Sequence, residues 1–392
     1  MKKKGFSSRS VHGGMDIHLS NRPEAMPIYQ TSVFTFDDLS HMESYFEPSS
    51  DSFLYSRDKN PNPTALEQVY ADLEGGEAAV VTSSGMAAIM AGILSCVKAG
   101  DHVLCSSEIY GVTGALLEKE LSRLGVEYSF ASFHDLSSVE NAIQPNTKAF
   151  ITEVVANPLL TVMDIGALAE LAHLHQCQLI VDSTFTSPYV IRPLEFGADI
   201  VVHSATKYLN GHNDVTAGVV ISNQSRINRT REIVVRMGCN LGPFEAWLAL
   251  RGIKTFALRM KQHCENGMKV AQFLAQHPKI EKVYYPGLQT HPTFAVAEKL
   301  LDGRFGGMVS FKVVDDKEKI NRFIRALESI NLAPSLAGVA TTLSHPMMTS
   351  HRAWSPEKQR TWGITMGLLR LSVGIEDAED IIADLEQALE QL

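Results

Sequence analysis

Apolar and polar positions fall into a rhythm from about residue 61 onward. "PTALEQVYADLEGG" has the period of a helix and ends in glycine. "EAAVVTSS" is a short apolar strand, and "GMAAIMAGILSCVKAG" a helix. "HVLCSS", "KAFITEVV", "QLIVDSTF", "ADIVVHSATK" and "TAGVVIS" read as strands, with "VTGALLEKELSRLG" and "IGALAELAHLHQ" as helices among them. Short apolar strands alternating with helices predict an α/β fold with a mostly parallel central sheet covered by helices on both faces. Right-handed crossovers would then gather the strand ends, and any site, along one edge of the sheet.

The pattern changes after about residue 245. "PFEAWLALRGIKTFALRMKQHCENGMKVAQFLAQHP" is helical for most of its length, "GGMVSFKVV" and "LLRLSVGIE" read as strands, and "DAEDIIADLEQALEQL" is an amphipathic helix. Three parts follow: an arm over 1–60, a main domain over 61–245 and a smaller C-terminal α/β domain over 246–392. The arm lacks a clear period and holds several prolines and serines, which predicts an extended segment wrapped over another surface.

Composition narrows the function. Hydrophobic residues make up 45% of the 392, as in a folded globular chain. The net charge of −9 excludes a general nucleic-acid binder. The basic start "MKKKGFSSRS" is followed by no apolar stretch, so neither a signal peptide nor a membrane anchor is expected. The five cysteines are scattered, without C-x-x-C, and read as reduced thiols of a cytoplasmic protein. The 14 histidines show no metal-ligand spacing, and no metal is expected.

The candidate chemistry centres on "HSATKYLNGH", residues 203–212. S-A-T-K satisfies S-x-x-K, but the partner motifs S-D-N and K-T-G of penicillin-recognising acyl transferases are absent. G-x-S-x-G, the P-loop and H-E-x-x-H are absent as well. A different set of residues is more coherent. "TSSGMAAI" places two serines and Gly85 where a strand passes into a helix, a place suited to phosphate. Ser204 and Thr206 could add hydroxyls; an ordinary helix N-cap is the plainer reading of "SSG" alone. Asp182 ends an apolar strand, where a buried carboxylate needs a partner, although a helix cap or an ion pair would also account for it. Lys207 could snorkel to the surface, whereas burial would favour its nucleophilic form. Together a phosphate cup, a carboxylate and a lysine match pyridoxal phosphate, whose phosphate, ring nitrogen and aldehyde need those three partners.

With these residues in view, the chain resembles the Cys/Met-metabolism family of pyridoxal-phosphate enzymes. The strings that carry the resemblance run nearly end to end: "PIYQTSVF", "YSRDKNP", "SSGMAAI", "IYG", "ANPLL", "VDSTFTSP", "ADIVVHSATKYLNGHNDV", "LALRGIKT", "GGMVSF", "HPMMTSH" and "LLRLSVGIED". The resemblance implies a fold type I, aspartate aminotransferase-like architecture and a set of roles. Lys207 would bind the cofactor's aldehyde and shuttle protons at Cα and Cβ. Asp182 would pair with the pyridine nitrogen. Tyr110 would stack on the ring and act as acid or base toward the leaving group. Gly85, Met86, Ser204 and Thr206 would hold the phosphate, and Asn157 would lie near the ring hydroxyl. Tyr55 and Arg57 would reach the phosphate of a neighbouring subunit, which implies a homo-oligomer with shared sites, a tetramer built as a dimer of dimers. Arg370 would bind the substrate carboxylate, with Ser335 near the substrate's amino-acid end.

The chain also departs from the family pattern. Ala340 stands where many γ-acting members carry Glu, Val112 where methionine γ-lyases often carry Cys, and "NPN" follows "YSRDK" where "NPT" is usual. Val112 and Ala340 sit where the substrate's side chain would lie, and apolar residues there suit a thioether such as methionine. The expected function is therefore γ-elimination from a sulfur amino acid, methionine or homocysteine first and cystathionine next, yielding 2-oxobutanoate, ammonia and a thiol. The alternatives are γ-replacement on an acylated homoserine (cystathionine γ-synthase or O-acetylhomoserine sulfhydrylase), β-elimination from cystathionine, and a cofactor-free interaction protein.

Overall fold

The computed structural model describes residues 5–13, 23–47, 50–352 and 354–392. Of the arm expected over 1–60, residues 1–4, 14–22 and 48–49 lie outside the described residues. The chain divides into two compact units. One takes the described residues up to Ser95 together with Asp199–Phe256; the other takes Cys96–Ala198 and Ala257–Leu392.

The architecture is the expected mixed α/β one. Seven strands belong to the larger sheet regions: β1 (Ala78–Thr82), β6 (Ile200–His203) and β7 (Gly218–Ser222) in the first unit, and β2 (His102–Ser106), β3 (Glu127–Ala131), β4 (Thr147–Glu153) and β5 (Gln178–Asp182) in the second. A five-stranded sheet comprises β8 (Lys282–Tyr284), β9 (Met308–Lys312), β10 (Asn331–Leu332), β11 (Thr342–Ser344) and β12 (Leu368–Ser372).

In the first unit the strands run β1-β7-β6, with β7 antiparallel to both neighbours. Helix Pro61–Glu74 starts two residues before the predicted segment, because Asn60 caps it and Pro61 supplies a preset φ at its first position. Gly75 ends it in the left-handed region at φ 83°. Glu67 on this helix accepts from Val81 N of β1 and receives both guanidinium nitrogens of Arg231, on helix Gln224–Met237, at 3.1 and 2.7 Å. That fork fixes β1 from two sides. His203 Nε2 and Glu74 Oε2 meet at 2.8 Å in full burial, anchoring the C-terminal end of β6.

In the second unit β5, β4, β2 and β3 lie side by side and all pair in parallel. The register sets Glu153 of β4 opposite Asp182 of β5. β3 is an addition to the expected elements; most of its residues are exposed or half-buried, so no apolar run announced it. The segment 112–125, expected as one helix, falls into a short α-helix Gly111–Ala115, a π-helical stretch Leu116–Leu121 and a 3-10 turn Ser122–Leu124 closed by Gly125. The predicted helix after residue 243 is two helices, Pro243–Ile253 and Phe256–Gln276. The five-stranded sheet packs Val309, Phe311, Leu369 and Leu371 against Ile381 and Leu385 of helix Ala378–Leu389.

That helix is also held by a polar lock. The Asp384 carboxylate accepts from Glu328 N, Ser329 N, Ser329 Oγ and Ile330 N at 2.7–3.0 Å. Burial pushes this carboxyl up, but the hydrogen bonds to its charged form outweigh that and bring it down to about 2. A depressed folded-state pKa stabilises fully above the ordinary carboxylate range, and the stabilisation is lost as pH falls through the folded value. Asp384→Asn is thus expected to cost about 2 kcal/mol at neutral pH. The gap in melting temperature to wild type should close between roughly pH 5 and pH 2. Thermal melts across that range check this, and a gap indifferent to pH contradicts it.

Candidate active site

The first unit carries the lysine and the small hydroxyl residues. β1 stops at Thr82, and helix Gly85–Cys96 begins three residues later. Ser84 Oγ accepts from Ala87 N at 3.1 Å, so the plain N-cap reading of "SSG" holds for this serine. Gly85 has a further reason to be glycine: a Cβ there would sit 2.7 Å from Ser204 Cβ and 2.9 Å from its Oγ. The start of the helix and the turn after β6 therefore close on each other only with a bare backbone at Gly85. The first N–H groups of a helix have no intrahelical partner, so this junction offers donors to an anion. Met86 follows in the same first turn, half-buried.

β6 ends at His203, earlier than the predicted strand, so Lys207 stands on the run of turns that follows. Lys207 N donates to Ser204 O at 3.0 Å, and Lys207 O accepts from Gly211 N at 2.8 Å. Buried Ala205, Tyr208 and Leu209 pin the turns, while Ser204, Thr206 and Lys207 stay half-buried. The Thr206 hydroxyl donates to Ala217 O at 3.2 Å and accepts from Ala217 N at 3.0 Å, so it braces the approach to β7. Tyr55 and Arg57 lie on a different, exposed segment. The Arg57 guanidinium sits over the Tyr55 ring at 5.3 Å.

The second unit carries the carboxylates, the aromatic group and the arginine. Asp182 ends β5, and its Oδ1 accepts from Thr184 N at 2.9 Å and from Thr184 Oγ1 at 2.5 Å. These bonds close a local turn; the next helix, Ser187–Val190, has Thr186 and not Asp182 at its N-cap. The buried Glu153 carboxylate accepts from Tyr110 N at 2.9 Å and from Asn157 N at 3.3 Å. Burial, and then the neighbouring charge of Asp182, push Glu153 up to about 8. The Tyr110 phenol is pushed up by burial and by Glu153, against an opposing pull from Arg370.

Arg370, buried in the middle of β12, donates through Nη1 to Asn157 Oδ1 and lies over the Phe185 ring at 5.6 Å. His351 is fully buried and held down at about 4 by burial and by the Arg370 charge, so it is neutral. Tyr110, Asn157, Asp182 and Arg370 are therefore joined into one network. Val112 is exposed on the turn after Tyr110, Ser335 is half-buried in the loop between β10 and β11, and Ala340 is exposed just before β11. Glu153 and His351 were absent from the expected set. Glu153 bears the same mark as Asp182, a carboxylate at the tail of an apolar strand, and could have been found by it. Among the described residues no group of three His, Cys, Asp or Glu side chains is arranged to hold a metal.

Each unit carries groups of the kind pyridoxal phosphate needs: in the first, a cradle that a Cβ at Gly85 would fill and a half-buried lysine; in the second, the Asp182 carboxylate at the end of β5, opposite a Glu153 whose pKa burial pushes up. Comparison with known proteins agrees. The chain is 45% identical over 394 residues to the L-methionine gamma-lyase of Fusobacterium nucleatum subsp. polymorphum, covering 100% of this chain and 99% of that one. It is 40% identical to the cystathionine beta-lyase of Lactococcus lactis subsp. cremoris, covering 98% and 99%. The solved structure of a chain assigned as an O-acetylhomoserine (thiol)-lyase from Campylobacter jejuni, which carries a pyridoxyl-lysine monophosphate, matches with a TM-score of 0.93 at 31% identity, covering 99% and 100%. The model of the family described as Cys/Met metabolism PLP-dependent enzyme matches residues 7–390. The chain belongs to that family, and its cofactor is pyridoxal phosphate.

Proposed function

We propose that this enzyme is a carbon–sulfur lyase acting by γ-elimination on methionine or homocysteine, with cystathionine next, to give 2-oxobutanoate, ammonia and a thiol. The observation that carries this reading is the full-length, 45% identity to a protein named L-methionine gamma-lyase. The uncharged Val112 and Ala340 support it, since neither adds a charge that a thioether would have to meet.

Bound pyridoxal phosphate supplies a conjugated, electron-accepting ring that takes up the electron pair left when a proton departs from the substrate. The chain's own residues do the rest. Lys207 would hold the cofactor's aldehyde and would move the protons at Cα and Cβ of the substrate. Asp182 pairs with the ring nitrogen. Gly85, Met86 and Ser204 hold the phosphate. Thr206, whose hydroxyl proton goes to Ala217 O, contributes by holding the lysine's turn in place. Tyr110 keeps its phenolic proton at neutral pH, because burial and Glu153 raise its pKa, and gives it to the departing sulfur. Asn157 orients Arg370, which receives the substrate carboxylate on its remaining donors, with Ser335 nearby.

Tyr55 and Arg57 complete the phosphate site of a second copy in a homotetramer built as a dimer of dimers. Their exposure here supports that, as do the exposed Val33, Leu39 and Phe46 of the arm. We assign the arm to 1–60, the cofactor domain to 61–245 and the C-terminal domain to 246–392, and place the enzyme in the cytoplasm. Unpaired cysteines fit a reducing compartment, and among the described residues no helix is long and apolar enough to cross a membrane.

Gly85→Ala is expected to leave the fold intact and weaken cofactor retention by about tenfold or more, since overpacking at a closed contact costs about 1–3 kcal/mol. Equilibrium binding of pyridoxal phosphate to the apo variant measures this, and unchanged affinity would exclude the cradle role. The γ-elimination itself is tested by proton exchange. With methionine in D2O, NMR should show deuterium entering at both Cα and Cβ. Exchange confined to Cα would remove the γ-elimination reading and favour β-chemistry.

A further inference from the structure

The four network residues of the second unit meet at a carboxylate, Glu153, that the reading above uses only through its charge near Tyr110. Glu153 closes β4, is buried, and its two oxygens take different backbone donors. Oε1 accepts from Tyr110 N at 2.9 Å, and Oε2 accepts from Asn157 N at 3.3 Å. Tyr110 is the last residue before helix Gly111–Ala115, with non-helical φ −48° and ψ 127°, so its backbone lies outside regular structure and needs an external acceptor. Asn157 belongs to the loop after β4 and in turn holds the Arg370 guanidinium through its side chain. One carboxylate thus sets the backbone behind a ring-facing tyrosine and behind the asparagine that orients the arginine.

We propose that Glu153 is a positioning residue for the reaction: it fixes Tyr110 and, through Asn157, Arg370, and it sits opposite Asp182 as the partner of that carboxylate. The inference rests on the roles assigned above to Tyr110, Asp182 and Arg370. The charged and titratable groups facing Glu153 are Asp182 at the end of β5, Arg370 on β12, Tyr110 after β2, and the buried Cys105 on β2, whose thiol burial and Glu153 push up. Glu153 ionises at about 8, below the range where the Tyr110 phenol titrates, so a negative Glu153 resists loss of the phenolic proton. Its effects on Tyr110 are therefore both geometric and electrostatic.

The test uses the holoenzyme with Glu153→Gln and Glu153→Ala. Both should keep stoichiometric cofactor by absorbance. In Glu153→Ala, kcat should fall about 100-fold, the size of effect that a displacement of about 1 Å produces, and KM should rise as Arg370 loosens. Glu153→Gln keeps one acceptor and should recover part of both losses. The visible circular dichroism of the bound cofactor, which reports the groups fixed around its ring, should weaken in Glu153→Ala and lie between in Glu153→Gln. The alkaline limb of kcat/KM should move to lower pH in Glu153→Gln, because the phenol loses a negative neighbour; a residue serving the fold alone would not move it. Variants within about twofold of wild type, with unchanged dichroism and an unmoved limb, would overturn the proposal, provided Tyr110→Phe and Arg370→Ala are impaired. Unimpaired Tyr110→Phe and Arg370→Ala would instead overturn the site assignment beneath it. Should Glu153→Ala fail to fold, Glu153→Gln alone decides by the same limb and dichroism.

Discussion

Lys207→Ala is expected to fold, to bind pyridoxal phosphate less tightly, and to lose turnover by about four orders of magnitude. The fold should survive because the packing of this segment lies in its neighbours. Ala205, Tyr208 and Leu209 are buried, while Lys207 is half-buried on a turn held by its own backbone bonds to Ser204 and Gly211. The turnover should not survive, because one amine is asked to hold the aldehyde carbon and then to move a proton at each of two carbons. Borohydride should fix the cofactor covalently to the wild type and leave the variant unlabelled. Normal activity in Lys207→Ala, or labelling at another lysine, refutes the assignment.

Arg370→Ala carries the second large effect, a fall in kcat/KM of about a thousandfold. The guanidinium is buried between the Asn157 side chain and the Phe185 ring, so its geometry is fixed before any substrate arrives. On the proposed role, its loss would take a bidentate charge-assisted contact from the substrate and leave the Asn157 side-chain oxygen without its guanidinium donor. Arg370→Lys should recover little, since an ammonium cannot present the planar fork or lie over Phe185 in the same way. The loss has an electrostatic mark as well. The positive charge holds down both the Tyr110 phenol and the neutral His351. Removing it should raise both pKa values and move the alkaline limb of kcat/KM to higher pH, opposite to the shift expected for Glu153→Gln. A variant that changes kcat alone, with KM and the alkaline limb unmoved, would show that the substrate carboxylate binds elsewhere.

Most of the parallel sheet was readable because each strand from β1 to β7 except β3 is a compact apolar run bounded by glycine or polar residues. β3 failed that test, being an edge strand exposed over much of its length. The break at Lys254 and Thr255 between two helices and the π-helical stretch after Ala115 depend on packing that periodicity does not encode. The amphipathic helix Lys317–Ala326 was legible in the apolar spacing of Ile320, Phe323 and Ile324, but did not figure among the expected elements. Lys207, Asp182 and Gly85 stand out as candidates because each is odd in its setting: a charge at the end of an apolar run, or a glycine opening a helix. The Thr206 hydroxyl's bond to Ala217, the reach of Asn157 to Arg370 and the place of Glu153 behind Tyr110 join residues 11, 213 and 43 positions apart, and no local pattern carries them.

The most direct measurement is product analysis on the reconstituted enzyme with methionine, homocysteine, cystathionine, cysteine and O-acetylhomoserine, each with and without an added thiol. The account predicts 2-oxobutanoate and an equal amount of ammonia from methionine or homocysteine, with no thiol required. Pyruvate as the sole oxo acid, or turnover only with the acylated homoserine plus a thiol, would contradict γ-elimination while leaving the cofactor site intact.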